Sequence, residues 1–554
     1  RRHKGASDKV RSAARRTPRP RTMITVDVPS RRRGHRRALL ALGACACAAL
    51  GLAATSRAAP RHLDWLSMAL GVTDVAEPRG AGGGSSNWVD ELGANFGGQR
   101  EQNWINDLGA VGERSGVAAA AEPAAVAATS NESYYFNVVE QAAAAAETAA
   151  WWLGGWYDTE PSVSNLRERL ESFIRLQSKL RGVAISLSWV SASENFTLVA
   201  GEWKGRKVTE DDIFLFGSGT KPYTAVGVMR AVEAGRVGLD DAAAPLVDKA
   251  LRRVGANTTL AALFGPRARL VTLRQLLHMS SGIADFDYPA FDDALLQAGV
   301  AKRVHTPLEF VLGAAAVKPP FICEPGSCVS YSSTNYVLLG LVLLALDDSA
   351  QAWYELDQKA LLGGGADPLP RSSFLTTGPI SDSTTLFGKH GKPSLWPLGR
   401  RGQVDIGAQD ASILGWVCGN LASTTGEVAQ FFWELLVERS ILRHDTIEAM
   451  AELEPLGLGW GRGHIAYGLG LMLKQTSWAR GARYGEWGTY LGHGGNTYGF
   501  LSEQGLIPQL NATFSVVANS NADDLFVAGV LTCQIIAVAA EEVLGHNIRL
   551  PCGG

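Results

Sequence analysis

Several motifs that carry well-known chemistry are absent from this 554-residue sequence. It contains no H-E-x-x-H and no C-x-x-C, which argues against a catalytic zinc site and a dithiol site, and no G-x-S-x-G nucleophile elbow. Cysteine is scarce at seven residues, and no cysteine spacing resembles a zinc site. We therefore expect chemistry that requires neither a metal nor another cofactor.

Positive charge is concentrated at the N-terminus and is outnumbered by negative charge in the rest of the chain. Residues 1–37 hold 14 of the 52 Lys and Arg residues but only two of the 54 Asp and Glu residues, so the rest of the chain is acidic. An acidic chain argues against nucleic acid as a partner. Hydrophobic residues make up 46% of the sequence, which is enough to bury a large core.

Residues 1–59 resemble a targeting leader. The basic stretch at 31–37 precedes an apolar run, Ala38–Ala54, and then the small residues Ser56 and Ala58, an order typical of a secretory signal peptide. The run is also just long enough for an uncleaved membrane anchor, and Arg-rich leaders can be organelle transit peptides. We predict a secreted or membrane-tethered protein, with organelle targeting as the alternative.

Two further features fit the secretory pathway. The stretch CEPGSC allows a short disulfide loop between Cys323 and Cys328, and disulfides persist in oxidising compartments. Four N-x-S/T sequons offer sites for N-glycosylation: Asn131, Asn195, Asn257 and Asn511.

The composition divides the chain into three segments, of which only the last is predicted to fold as a catalytic domain. The leader is followed at 60–159 by a Gly/Ala-rich linker, and residues 160–554 form the domain. The linker repeats an eight-residue stretch, NWVDELGA and then NWINDLGA, whose Trp88 and Trp104 either anchor on a partner or belong to a duplicated linker. The second interpretation is favoured because so few short copies cannot form a solenoid.

The domain itself shows mixed periodicity. NLRERLESFIRLQSKL has apolar residues at helical spacing, and VAISLSWV with NFTLVAGEW predicts a strand hairpin. Near the C-terminus, GFLSEQGLIP and NATFSVVANS predict two more strands before a closing helix. Strands at both ends with a helical middle predict an α/β (α+β) domain whose terminal strands complete one sheet.

Ser218 and Lys221 lie in the stretch LFGSGTKPYTAVGVMRAVEAG. Pro222 is tolerated only in the first turn of a helix, so the helix begins at or just before Ser218. Lys221 then lies one turn away on the same face, where its amine can reach the hydroxyl. Burial among residues such as Phe216 is expected to lower the lysine pKa, as in Ser–Lys nucleophile pairs. A capped helix with a solvated lysine is the alternative.

Two later segments supply groups that such a nucleophile needs. Tyr331, in a polar turn before an apolar helix, can relay protons if its pKa is lowered by Lys221. Gly494 and Gly495 follow His493 at a strand edge and let the backbone lie close to a substrate. The amide of the next residue, Asn496, can join that of Ser218 in polarising a carbonyl.

The order S-x-x-K, Y-S-S, H-G-G resembles the penicillin-recognising serine hydrolases, which include class C β-lactamases, D-alanyl-D-alanine carboxypeptidases and related esterases. The resemblance covers nearly all of 160–545 and includes LRQLLHMSSGI, GNLASTTGEVAQFF and YGLGLML. It implies a β-lactamase-like fold, in which an antiparallel sheet is flanked by helices and joined to a mainly helical subdomain.

The resemblance also implies roles for single residues. Ser218 is the acylated nucleophile, Lys221 its base and Tyr331 the proton relay, while the amides of Ser218 and Asn496 form the oxyanion hole. His493 stands where many relatives have lysine.

Three positions depart from the family pattern. Ser333 replaces a common Asn and offers a shorter hydroxyl for a substrate amide. His493 and Gly494 replace groups that help to bind a substrate carboxylate in many relatives. The departures imply slow or absent β-lactam turnover, with small esters or amides preferred.

The sequence therefore predicts a serine acyl hydrolase acting on a small-molecule ester, amide or peptide through an acyl-enzyme. It leaves the oligomeric state open. Two alternatives remain: a catalytically silent module for binding or assembly, with the Trp repeats as contacts, and an acyltransferase.

Overall fold

The structure is a computed structural model that describes residues 165–203, 205–296, 302–363, 369–380, 406–458, 464–476, 488–521, 526–545 and 552. The predicted leader and linker lie outside these residues, so their assignment stays a prediction. The described α-helices are α1 (Leu166–Arg181), α2 (Lys221–Glu233), α3 (Ala244–Arg253), α4 (Leu260–Phe264), α5 (Leu273–Leu277), α6 (Pro289–Leu295), α7 (Pro307–Ala316), α8 (Thr334–Leu346), α9 (Gln358–Leu362), α10 (Thr425–Phe432), α11 (His444–Met450) and α12 (Thr532–Leu544).

One large antiparallel sheet of eight strands organises the fold, in the order β2-β1-β13-β12-β11-β10-β9-β8. The strands are β1 (Ile185–Ser191), β2 (Asn195–Ala200), β3 (Glu202–Trp203), β4 (Arg206–Lys207), β5 (Phe214–Leu215), β6 (Ser373–Phe374), β7 (Leu421–Ser423), β8 (Glu454–Pro455), β9 (Ile465–Tyr467), β10 (Met472–Gln475), β11 (Thr489–Thr497), β12 (Phe500–Ile507) and β13 (Ala512–Ala518). The short strands β3 and β4 form a hairpin, and β5, β7 and β6 form a small second sheet.

The N-terminal and C-terminal strands pair near one edge of the large sheet. Strand β1 pairs antiparallel with β13, so that Ile185 lies opposite Ala518. Helices α1 and α12 bury an apolar core against one face of this sheet, with residues such as Phe173 and Ile535. The prediction that strands from both ends of the domain complete one sheet is confirmed.

Helix α10 packs on the opposite face of the sheet, where hydroxyl groups bridge the two layers. Thr425 Oγ1 lies 2.7 Å from Ser186 Oγ and 2.8 Å from Ser188 Oγ. Beyond this layer, the helical part is built around α8, in which every residue except Leu346 is buried. A helix that is apolar all round belongs in a core, and α8 accordingly lies at the centre of the larger apolar cluster.

Two pairs of cysteines lie at disulfide-bonding distance. Cys323 pairs with Cys328, as the CEPGSC stretch predicted, and Cys533 of α12 pairs with Cys552 near the C-terminus. Disulfides are compatible with secretion. Across the described residues, no helix combines the length and apolar character needed to cross a bilayer.

The polar turn Gly217–Thr220 lies directly against strand β11. Gly217 has a φ of +50°, and a Cβ added there would lie 2.6 Å from the backbone oxygen of Asn496. A Cβ on Gly495 would overlap the backbone oxygen of Phe216. Glycine is therefore required at both positions because two backbone segments touch.

We predict that Gly495→Ala lowers the free energy of unfolding by about 2 kcal/mol or more, because the methyl group separates β11 from the turn. Gly426→Ala in α10 is the matched control, since its added Cβ would lie 3.6 Å from the nearest neighbour, Thr197 Oγ1. Denaturant unfolding of both variants checks the prediction. Equal stability for Gly495→Ala and the control would contradict the close approach.

Candidate active site

Ser218 and Lys221 are in direct contact. Ser218 lies in a 3₁₀ turn, Gly217–Thr220, that runs directly into α2, so the predicted helical start next to Pro222 is confirmed. Lys221 Nζ donates to Ser218 Oγ at 2.8 Å and to the Cys418 carbonyl oxygen at 3.1 Å. The lysine side chain is fully buried, whereas the serine is partly exposed. The hydroxyl is thus open to solvent on one side and bound to an amine on the other.

Tyr331 lies beside this pair. Lys221 Nζ is 5.1 Å from the centre of the Tyr331 ring, and the phenol interacts with both the lysine and Ser218 through hydrogen bonds. The loop that carries Tyr331 joins the Cys323–Cys328 disulfide loop to helix α8. The structure therefore brings together the three residues whose order along the chain suggested a nucleophile, a base and a proton relay.

The charge state of these residues differs from the expectation. Burial disfavours the Lys221 ammonium, but the neighbouring Tyr331 and Cys418 favour it more strongly, so the pKa of Lys221 lies above its ordinary value. Burial also raises the pKa of Tyr331, and Lys221 only partly offsets that rise. The expectation that burial lowers the pKa of Lys221 is therefore wrong, and the lowered Tyr331 pKa, which was the condition for its predicted role as a proton relay, is not found. Near neutral pH the site holds a lysine ammonium and a neutral phenol.

His493 completes the cluster but carries no charge. Its ring is fully buried, with Nε2 2.9 Å from the Tyr467 hydroxyl and Nδ1 2.6 Å from the Gly494 carbonyl oxygen. Burial, reinforced by the charges of Lys221 and Lys474, lowers the pKa of His493 to about 3. The histidine therefore cannot supply the positive charge of the lysine found at this position in many relatives.

The Glu503 side chain of the neighbouring strand β12 occupies the space next to Gly494. Gly494 pairs with Glu503 across β11 and β12, and a Cβ on Gly494 would lie 2.8 Å from a carboxylate oxygen of Glu503. Glu503 is buried and forms an ion pair with Lys474 and a hydrogen bond with Tyr490. Because this network fills the space, a hydroxyl-bearing side chain does not fit at position 494.

The remaining predicted residues lie around the same cleft. Asn496 is exposed on β11, and its backbone touches Gly217, next to Ser218. Gly495 holds the strand against the turn, as described above. Ser333 is buried at the start of α8, where its backbone N–H donates to Asp285 Oδ1 at 2.9 Å. The roles assigned to these residues stay predictions.

Three groups at the site were not singled out from the sequence. The Cys418 carbonyl oxygen accepts from Lys221, and Tyr467 anchors His493. Asp285 is half-buried and accepts from the backbone N–H of Ser333, and burial, together with the charge of Asp287, raises its pKa to about 7. Tyr467 begins the YGLGLML stretch and Asp285 lies two residues after the LRQLLHMSSGI stretch, so the sequence signal for both residues was their proximity to these motifs.

In the part of the chain that the structure describes, no group of three His, Cys, Asp or Glu side chains is arranged to hold a metal ion.

Solved structures with a similar fold include two hydrolase-related proteins. A D-amino acid amidase from Ochrobactrum anthropi SV3, complexed with D-phenylalanine, is 22% identical, with a TM-score of 0.53 over 69% of this chain and 99% of that chain. An octameric penicillin-binding protein homologue from Pyrococcus abyssi is 23% identical, with a TM-score of 0.51 over 68% of this chain and 79% of that chain. At these identities the likeness shows the fold.

Sequence comparison gives the family. Penicillin-binding protein 4 of Amycolatopsis lactamdurans is 34% identical over 152 residues, which are 27% of this chain and 33% of that protein. The match thus spans about a third of the length of that relative. The Beta-lactamase family model matches residues 177–529, more than half of the chain, and includes Ser218, Lys221, Tyr331 and His493. The chain therefore belongs to the β-lactamase family of serine hydrolases and penicillin-binding proteins.

Proposed function

We propose that this protein is a serine acyl hydrolase that cleaves small amides or esters through an acyl-enzyme on Ser218. One observation carries the proposal: a fully buried lysine, Lys221, makes a 2.8 Å hydrogen bond to a partly exposed serine hydroxyl. An amine in contact with a serine is the arrangement of Ser–Lys hydrolases. A D-amino acid amidase among the structures of similar fold and a penicillin-binding protein among the relatives support it.

Acylation starts from the minor form in which the Lys221–Tyr331 pair has lost one proton. Ser218 Oγ attacks the scissile carbonyl carbon and gives its proton to Lys221 Nζ, while the amides of Ser218 and Asn496 stabilise the oxyanion. When the tetrahedral intermediate collapses, Tyr331 donates its proton to the leaving nitrogen or oxygen. The acyl group stays on Ser218 as an ester, which water hydrolyses with the same groups in reversed roles.

A purely structural or binding role leaves the buried lysine unexplained. Among the described residues Lys221 forms no ion pair with a carboxylate, and its polar contacts are the hydroxyl of Ser218, the Cys418 carbonyl and the phenol of Tyr331. A buried cation without a carboxylate partner is costly for stability. Such a group in a cleft is typical of a functional site.

The acyl-enzyme can be tested by intact mass. We predict that a brief exposure to a p-nitrophenyl ester adds one acyl group to the protein and that Ser218→Ala abolishes the adduct. Lys221→Met, which keeps the buried volume, slows labelling by about 100-fold or more because the base is lost. A full adduct on Ser218→Ala would contradict the assignment of Ser218.

The pH dependence of acylation follows from the direction of the two pKa shifts. Because the pKa values of Lys221 and Tyr331 both lie above their ordinary values, the deprotonated pair is a minor species near neutral pH and becomes more abundant as the pH rises. We predict that kcat/KM for a neutral ester increases from about pH 7 to about pH 9, with close to tenfold per pH unit. Stopped-flow acylation rates, with Ser218→Ala as the blank, check this. A plateau that begins near neutral pH would contradict it.

Carboxylate recognition can be isolated with a matched pair of β-lactams. Benzylpenicillin and its methyl ester differ by one negative charge, and neither the uncharged His493 nor Gly494 offers a cation or a hydroxyl to that charge. We predict that the methyl ester acylates Ser218 at least as fast as the acid. An advantage of about tenfold or more for the acid would show a carboxylate site, and efficient cephalosporin hydrolysis would contradict the expected preference for small esters and amides.

A further inference from the structure

Asp285 is held rigidly at the edge of the site. The Ala284 carbonyl oxygen accepts from Thr334 Oγ1 at 2.9 Å and from Ser332 Oγ at 3.3 Å, and the Phe286 N–H donates to Thr334 Oγ1 at 3.0 Å. The residues on both sides of Asp285 are thus tied to the segment that follows Tyr331. Such hydrogen bonds fix a side chain without help from a ligand.

The carboxylate of Asp285 uses only one of its oxygens within the protein. Oδ1 accepts the backbone N–H groups of Ser333, at 2.9 Å, and Asp287, at 3.2 Å. Oδ2 accepts no hydrogen bond from the described part of the chain. Oδ2 is not one of the buried side-chain oxygens that lack a partner, so it is accessible to solvent and can accept a hydrogen bond from a ligand in place of water.

Asp285 is bound to the segment that carries Tyr331, because Ser333, two residues after Tyr331, donates its backbone N–H to Asp285 Oδ1 at 2.9 Å. Its charge acts on both Lys221 and Tyr331, and Lys221 in turn acts on Asp285. Asp285 forms no ion pair with Lys221, whose ammonium is directed to Ser218. The carboxylate therefore lies next to the segment that carries Tyr331, and its second oxygen is not used by the described part of the chain.

The charges around the cleft favour a cation in the substrate. Besides Asp285, the exposed Asp287 lies on the same loop, and Asp292 of α6 accepts from Tyr498, which follows β11 directly. His493 is uncharged, and the Lys221 ammonium is engaged with Ser218. A substrate ammonium would meet attraction here, whereas a substrate carboxylate would meet repulsion.

We propose that Asp285 is a specificity-determining residue whose Oδ2 accepts a hydrogen bond from a substrate ammonium group close to the scissile carbonyl. The substrate class is then the α-amino amides, α-amino esters and N-termini of short peptides. This inference rests on the proposed function, because it assigns the acyl donor of the same site. An ammonium beside Oδ2 also offsets the cost of keeping this carboxylate half-buried.

Binding to the Ser218→Ala protein tests the inference without depending on acyl transfer. The probes are each enantiomer of phenylalaninamide and the isosteric neutral amide 3-phenylpropanamide, compared by calorimetry at about pH 7.5, where Asp285 is mostly ionised and an α-amino group is still largely protonated. We expect at least one enantiomer to bind about tenfold or more tightly than the neutral amide.

Two variants assign the effect to Asp285. In the same background, Asp285→Asn keeps an oxygen for the Ser333 and Asp287 N–H groups, and we expect it to reduce the preference for the ammonium to roughly threefold or less. Asp287→Asn removes a neighbouring exposed charge and is the matched control, for which the preference stays within roughly threefold of the parent. If the melting temperature of Asp285→Asn is well below that of the parent protein, Asp285→Ser is used in its place.

Three results would overturn the inference: equal binding of the charged and neutral amides, no binding of either, or a preference that survives in Asp285→Asn. Acylation of active protein by the p-nitroanilides of phenylalanine and of 3-phenylpropanoic acid separates this inference from the proposed function. Labelling of Ser218 by both at equal rates would leave the hydrolase standing and remove the ammonium site. If the Ser218→Ala protein strongly prefers the ammonium compound but the active protein is not labelled at all, the ammonium site would stand and the proposed hydrolase would fall.

Discussion

A lysine ammonium buried without a carboxylate partner is the constraint on which the rest of the site depends. Lys221 is completely enclosed, and its polar neighbours are a hydroxyl, a backbone carbonyl and a phenol. None of these neutralises the charge as a carboxylate would, so the protein bears a desolvation cost that packing elsewhere must offset. The almost completely buried helix α8 and the apolar cores on the two faces of the large sheet supply that packing. The fold can thus hold a reactive amine next to a solvent-accessible hydroxyl.

The parts of the fold and site that local sequence determines were predictable. Pro222 restricts where its helix can start, and this places Ser218 and Lys221 one turn apart whatever the rest of the chain does. Alternating apolar residues mark much of β1, β2 and β13, and apolar pairs at both ends mark β12, since each of these strands lies in a regular sheet. The order of short motifs then led to the β-lactamase family, and the structure brings Ser218, Lys221 and Tyr331 from these motifs together.

What sequence could not predict depends on contacts between distant segments. The pKa of Lys221 was expected to fall on burial, yet Tyr331 and Cys418, from two other parts of the chain, reverse the direction. Asp285 has no motif of its own, and it becomes part of the site only because its neighbours are bonded to Ser332 and Thr334. The uncharged state of His493 likewise requires the enclosure that Tyr467 and the sheet provide.

The two departures from the family pattern on β11 are best understood as one change. Glu503, paired with Lys474, fills the volume next to Gly494, so a side chain at position 494 would press against this buried ion pair. The charge of Lys474 also disfavours protonation of His493 on the same strand, as does the charge of Lys221. A cation at position 493 would therefore lie near two others in a low-dielectric interior, where their repulsion is strong. The neutral imidazole is the form that this arrangement tolerates.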